Sequence, residues 1–171
     1  MKYFFSNFLN LITKRYFIFL FSFCKGYENV VIFDIDNTLT KYKPGLNLKS
    51  QIRRPEIRKK IITLLYNYRS NKSKIILLSA RGVSNYFTTL AWAFENKLII
   101  NIQDLILVPK PEDKLYFLNK AISKNQKVTL FDDFSYGHEN GELHFYENVI
   151  EKVLLLNLTY YGCDYIEKIS K

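Results

Sequence analysis

The chain has 171 residues, enough for one domain with its own core, and its 48% apolar content excludes a disordered protein. The two cysteines, Cys24 and Cys163, have no metal-type spacing and form no disulfide framework, which excludes a zinc module and a disulfide-stapled scaffold. The net charge of +9 is uneven: residues 41–74 carry eleven Lys/Arg against one acid (Glu56), residues 1–40 four against three, and residues 75–171 ten against twelve.

A local positive field attracts phosphorylated substrates, nucleic acid or acidic lipid. The joint richness in Lys, Asn, Ile, Phe and Tyr is also what an AT-rich coding sequence gives, and that reading leaves some of the lysines as solvated surface. The cysteine usage reads as a reducing compartment, with one Cys24–Cys163 bridge left open.

Residues 1–26 read as an N-terminal segment distinct from a domain over 27–171. Fourteen of the twenty-one residues 3–23 are apolar, interrupted by Lys14 and Arg15. The runs are too short for a clean span of ~20 residues. Ser6, Asn10, Thr13 and Lys14 share one helical face, so the first half is amphipathic. Three readings stay open: an interfacial helix making peripheral membrane contact, a signal or anchor segment, and a helix docked on the domain. The protein is expected in the cytoplasm, with membrane association through residues 3–23 as the variant.

From residue 28 onward the elements alternate. A strand is expected at about 29–34, and the polar stretch "TKYKPGLNLKSQIRR" follows. "PEIRKKIITLLYNYRS" reads as a helix with Pro55 at its first position. "KIILLS" reads as a strand, "GVSNYFTTLAWAFENK" as a helix, "DLILV" as a strand and "PEDKLYFLNKAISK" as a helix opened by Pro111. "KVTLF" is a fourth strand, ending in Asp132 and Asp133, and "GHENGE" reads as a loop containing His138. The pattern after residue 143 mixes helix and strand signals. The alternation predicts an α/β fold, a Rossmann-like three-layer sandwich with a mainly parallel sheet.

The stretch "VVIFDIDNTLT", residues 30–40, carries the chemistry. Val30, Val31, Ile32 and Phe33 do not alternate with polar residues, as in a strand buried on both faces. Asp34 and Asp36 point the same way if the chain is still extended there. Two such charges at the mouth of a buried strand repel each other unless a cation lies between them. A turn with an N-cap is the plainer reading of Asp, Asn and Thr here. A calcium loop is excluded, because its required Gly and Glu positions hold Leu39 and Gly45.

Ligands of open parallel sheets bind beyond the carboxyl ends of the strands. Three expected strands end in Asp34/Asp36, Ser79 and Asp132/Asp133, which places four carboxylates and a hydroxyl at one rim. Such a rim calls for a hard cation with oxygen ligands, and Mg²⁺ fits best.

These residues resemble the haloacid dehalogenase superfamily of phosphohydrolases. Its first motif, D-x-D-x-T after a hydrophobic strand, matches Asp34-Ile35-Asp36-Asn37-Thr38, and its second, a Ser or Thr closing a strand, matches Ser79. Its third, a Lys near a helix start, fits Lys114 or Lys110, and its fourth, an acidic pair closing a strand, matches Asp132-Asp133. The motifs run in the family's order over residues 28–133.

The resemblance implies a Mg²⁺-dependent phosphoric monoester hydrolase. Asp34 would attack phosphorus and form an aspartyl phosphate, and Asp36 would protonate the leaving oxygen and then help deprotonate water. Asp34, Asp36 (through its main-chain carbonyl), Asp132 and Asp133 would hold Mg²⁺. Ser79 and a lysine would hold the transferring oxygens, Thr38 would orient Asp36, and Arg81 would contact substrate or form a structural salt bridge.

The intervals Asp34–Ser79 and Ser79–Lys114 are too short to add a cap domain to the helix and strand each must hold. A capless member suits a phosphorylated substrate that is large or polyanionic, or a site closed by another subunit of an oligomer. Two alternatives remain. One, motivated by the basic stretch and the N-terminal segment, is a phosphatase for nucleic-acid ends or a membrane phospholipid; "DIDNTLT" and "LLSAR" are also somewhat similar to the lipid phosphatidate phosphatases. The other is a non-catalytic binding module on the same fold, against which every acid of the first and fourth motifs is present.

Overall fold

The computed structural model describes residues 27–42, 55–122, 126–136 and 143–171. The segment 3–23, Cys24, residues 43–54 of the basic stretch (Lys43, Arg53 and Arg54 included) and His138 lie outside the described residues.

Five strands form a parallel sheet: β1 (Asn29–Phe33), β4 (Lys74–Ser79), β5 (Leu105–Leu107), β6 (Lys127–Phe131) and β9 (Thr159–Tyr161). Their spatial order is β5-β4-β1-β6-β9. From β1 in the centre the chain moves out through β4 to β5, then returns to the other side of β1 with β6 and β9. The direction of winding therefore switches beside β1, and an α/β sheet opens its binding crevice at such a point. β1 pairs with β6 in the register Asn29↔Lys127 to Phe33↔Phe131, so the two strands end level.

The expectation of strands buried on both faces holds. Val30, Ile32, Ile76, Leu78, Val128 and Leu130 pack on one face against α3 (Lys114–Ile122) and α4 (Glu147–Leu154). Val31, Phe33, Ile75, Leu77 and Phe131 pack on the other against α1 (Lys59–Ser70), α2 (Tyr86–Glu95) and α5 (Cys163–Ser170). The result is a three-layer α/β sandwich. Among the described residues the interval from Ser79 to Lys114 holds only α2, β5 and short 3₁₀ turns.

Two short hairpins stand above the carboxyl ends of the strands. β2 (Thr40–Lys41) pairs antiparallel with β3 (Glu56–Ile57), and β7 (Ser135–Tyr136) with β8 (His144–Phe145). The first hairpin corrects the expected helix start at Pro55. Glu56 and Ile57 pair with Lys41 and Thr40, and the Arg58 N–H donates to the Leu39 carbonyl at 2.9 Å. These bonds hold the chain extended, and the helix begins only at Lys59. The third helix is likewise entered through a 3₁₀ turn at Pro111–Asp113.

Phe131 lies at the centre of an aromatic stack. Its ring is 4.7 Å from Phe33 at 7° and 4.8 Å from Tyr161 at 21°, and Tyr161 stacks on Tyr165 at 4.1 Å. Removing it leaves a hole between three rings directly below Asp132. Phe131→Ala is expected to destabilise the fold by about 3–5 kcal/mol in equilibrium urea unfolding. Phe87→Ala, at a side chain 82% exposed, should stay within about 0.5 kcal/mol. Equal losses would show that the stack is not the core of this face.

Candidate functional site

β1 and β6 end beside each other, and each is followed at once by an aspartate. The Asp34 N–H continues the ladder onto the Phe131 carbonyl at 2.8 Å, and the Asp132 N–H onto the Tyr161 carbonyl at 3.2 Å. Strand pairing thus fixes both backbones before any side chain is considered. Asp34, Asp132 and Asp133 are all buried, and one carboxylate oxygen from each lies within 4.8 Å of the others.

Lys114 enters from the first turn of α3. Its Nζ donates to Asp34 Oδ1 at 2.8 Å and to Asp132 Oδ2 at 2.6 Å, and it lies 5.0 Å from the Phe134 ring centroid. Of the two lysines the sequence left open, Lys114 is buried in the site, whereas Lys110 is exposed in the extended residue before the Pro111 turn.

Asp133 is held by Thr38, which donates to Oδ1 at 3.2 Å, and by the Ser135 hydroxyl on Oδ2. The Asp133 N–H returns to Thr38 Oγ1 at 3.3 Å. Thr38 therefore orients Asp133 from a fully buried position. It makes no hydrogen bond to Asp36, contrary to the role the resemblance implied. Arg81 takes that part: Nε donates to Asp36 Oδ2 at 2.8 Å and Nη2 to Oδ1 at 2.7 Å, a two-pronged clamp. Arg81 is almost wholly buried, and its Nη1 has no hydrogen-bond partner among the described residues. Gly82 follows with φ +76°, a turn that a side chain would strain.

The spacing of the first motif does not keep its two acids alike. After Asp34 the chain leaves the strand in a wide turn over Ile35–Leu39, with Asn37 at φ 55°. The Asp34 side chain stays buried at 7% exposure, whereas that of Asp36 reaches the mouth at 55%. The Asp36 carboxylate lies outside the buried triad, so its place in a metal set would be through its main-chain carbonyl. Ser79 lines the same cavity of about 220 Å³ as Asp34, Asp36, Lys114 and Asp132.

Phe134 sits at φ 45°, unusual for an aromatic residue. Its N–H caps Asp132 Oδ1 at 3.0 Å and its carbonyl accepts the Tyr146 N–H at 2.9 Å, so the loop is fixed at both ends. Tyr160 closes the site from below, donating to the Asp132 carbonyl at 3.0 Å; burial and the nearby Asp132 and Asp133 raise its phenol. Ser135, Phe134 and Tyr160 were not marked by the sequence reading. The position of Ser135, two residues past the acidic pair, was the only signal available.

Three buried carboxylates face one ammonium, and their acidities show the imbalance. Burial pushes Asp132 up to about 7, with Lys114 opposing and Asp34 adding. Burial, then Asp34 and Asp132, raises Asp133 well above the ordinary range. Burial raises Asp34, with Lys114 opposing and Asp36 adding. Burial lowers Lys114, but Asp132 and Asp34 outweigh it, so its ammonium stays charged. Fully ionised, this group carries two negative charges in excess, which suits one divalent cation. All its donors are carboxylate oxygens, the ligands of a hard ion. The buried triad fits a metal site on its donor chemistry.

No protein-family model matches the sequence, and no curated protein matches it. Among solved structures the fold is similar to a chain in the structure of the Pnkp1/Rnl/Hen1 complex, with a TM-score of 0.60 and 17% identity. The match covers 81% of this chain and 47% of that one, so this chain spans about half the length of its structural neighbour. At that identity the likeness is one of fold, a parallel-sheet α/β architecture.

The charge imbalance has a pH signature. An unfolded Asp titrates near 3.8 and folded Asp132 near 7, so the metal-free folded state holds more protons between these values. Its contribution to stability is full below 3.8 and is lost as pH rises through about 7. In EDTA the melting temperature is expected to fall between about pH 5 and about pH 8. Mg²⁺ should raise it more at the higher pH, where it replaces the lost protons. A metal-free melting temperature that climbs across this interval would contradict the assignment.

Proposed function

We propose that the protein is a phosphoric monoester hydrolase that works through an aspartyl phosphate on Asp34 with Mg²⁺ as cofactor. The observation that carries this reading is the Asp34–Lys114–Asp132 bridge beside Asp133, at the level carboxyl ends of β1 and β6. A buried carboxylate at the floor of an open cavity, with a fixed ammonium against it, is placed to meet an electrophile whose oxygens carry negative charge.

In the first step an Asp34 oxygen bonds to phosphorus as the bond to the leaving oxygen breaks, and Asp36 gives that oxygen its proton. In the second, Asp36 takes a proton from water, the water oxygen attacks phosphorus, and phosphate leaves with Asp34 restored. Lys114 and Ser79 hold the transferring oxygens. Arg81 fixes the Asp36 rotamer at the mouth, and Thr38 and Ser135 hold Asp133. Bound to Asp34, Asp132, Asp133 and the Asp36 carbonyl, Mg²⁺ would neutralise the charge between nucleophile and phosphate.

A second reading, the same chemistry on nucleic-acid ends, is favoured by an aromatic pair at the mouth, half-buried Tyr146 and exposed Tyr136. Tyr146 lines the catalytic cavity, and its ring lies 4.6 Å from that of Tyr136 on the exposed hairpin. Bases stack on such rings without sequence preference.

Asp34→Asn removes the attacking charge and keeps the shape. Turnover of phosphomonoesters is expected to drop roughly a thousandfold or more, with an unchanged circular dichroism spectrum. Hydrolysis at the wild-type rate would exclude Asp34 as nucleophile.

A further inference from the structure

The catalytic cavity has a neighbour. A second cavity, of about 300 Å³, opens on the other side of Asp133, and Asp133 and Ser135 line both. One wall is the first hairpin and the turn before it, and the other is the start of α5. Its size is at the low end of ligand pockets.

The chemistry of this second space differs from that of the first. Lys41 and Arg58 line it together with Asp133 and Glu167, and of these acids Asp133 already belongs to the buried triad. Arg58 is already used, since its Nη2 pairs with Glu167 and its Nε donates to the Thr40 carbonyl at 3.3 Å. The remaining lining combines the Tyr42 ring with apolar Leu143 and Ile166. Among the described residues this leaves exposed Lys41 as the remaining cation of the lining, which is not a built site for a second phosphate. The cavity offers apolar faces to a ring and polar side chains to the ring's edges.

We infer that this cavity is the leaving-group subsite: it takes the neutral, planar ring of a nucleoside whose phosphate occupies the catalytic cavity. This rests on the phosphatase reading and deepens it, because it supplies selectivity that the described domain, with no cap between Ser79 and Lys114, must find on its own walls. A hexose has no flat apolar face of comparable area, and a lipid tail has no use for the polar edges. A nucleoside uses both.

Cys163 reports on this directly, because its half-buried thiol lines the cavity. In an Asp34→Asn, Cys24→Ser protein, which keeps a bound ester intact and has Cys163 as its single thiol, the rate of maleimide labelling is measured with Mg²⁺ present. Nucleoside 3′- or 5′-monophosphate is expected to slow labelling on the order of tenfold, and inorganic phosphate or glucose 6-phosphate far less. Equal protection by all of them overturns the proposal. A second measurement uses Cys163→Trp, which fills the space. Its kcat/KM for nucleoside monophosphate relative to acetyl phosphate should fall on the order of tenfold or more. An unchanged ratio also overturns it, including in the case where the free thiol is too slow to label. Absence of hydrolysis of any phosphomonoester by the wild type, with protection by nucleoside monophosphate retained, would instead refute the phosphatase reading and leave the subsite standing.

Discussion

The Lys114 ammonium, held between Asp34 and Asp132, is the constraint on which the rest of the molecule is arranged. Desolvating several charges together costs kilocalories per ion, and the cost is met only with close, well-aligned partners. Those partners come from strands about a hundred residues apart in sequence that the sheet makes neighbours. Phe33↔Phe131 pairing sets Asp34 and Asp132 level, and the Phe33–Phe131 stack on the face below fixes the same register. A slip by one residue would reverse the faces of every side chain in β6 and turn the acids away from Lys114. The hydrophobic core and the polar site thus specify one another.

From this constraint follows the division of labour between the two acids of the first motif. Asp34 is bound by the ladder and by Lys114, so it has one orientation and little water. Asp36 comes after the chain has turned, and without Arg81 its side chain would be free at the surface. The Arg81 fork reaches it from beyond β4, with Asn85 Nδ2 bonding the Arg81 carbonyl at 2.6 Å to steady the loop. One acid is thus buried and fixed, and the other is exposed but oriented, which is the pairing the proposed two-step chemistry uses.

Much of this was legible in the sequence where one residue type had one physical meaning. Unbroken apolar runs gave both-face burial and hence the parallel sheet, and strand-terminal acids gave the rim. Lys110 and Lys114 could not be separated, because their difference arises from the Pro111 turn, which leaves one outside and swings the other over the acids. Thr38 was paired with the wrong acid for a related reason: the positive φ of Asn37 rotates the turn so that its hydroxyl meets Asp133, distant in sequence. The segment "TYY" alternates too briefly to show β9, which exists because the exposed side of β6 needs a partner. The start at Pro55 misled because propensity is local and the hairpin with β2 is not.

The basic stretch illustrates how position outweighs count. Arg69 donates to the carbonyls of Lys97 and Leu98, and Lys74 pairs with Asp104 at 2.5 Å. Lys74 opens β4 whereas Ser79 closes it, so this pair lies a full strand, about 17 Å, from the acidic rim. Exposed charges are screened over ~10 Å at 0.1 M salt, so cations at that end do little for an anion at the other. Arg58 is turned inward to Glu167, while Lys59 and Lys60 stay on the solvent side of α1. Among the described residues the charge set directly against the buried acids is therefore the single Lys114 ammonium. One buried cation acts more strongly on its immediate neighbours than several in water.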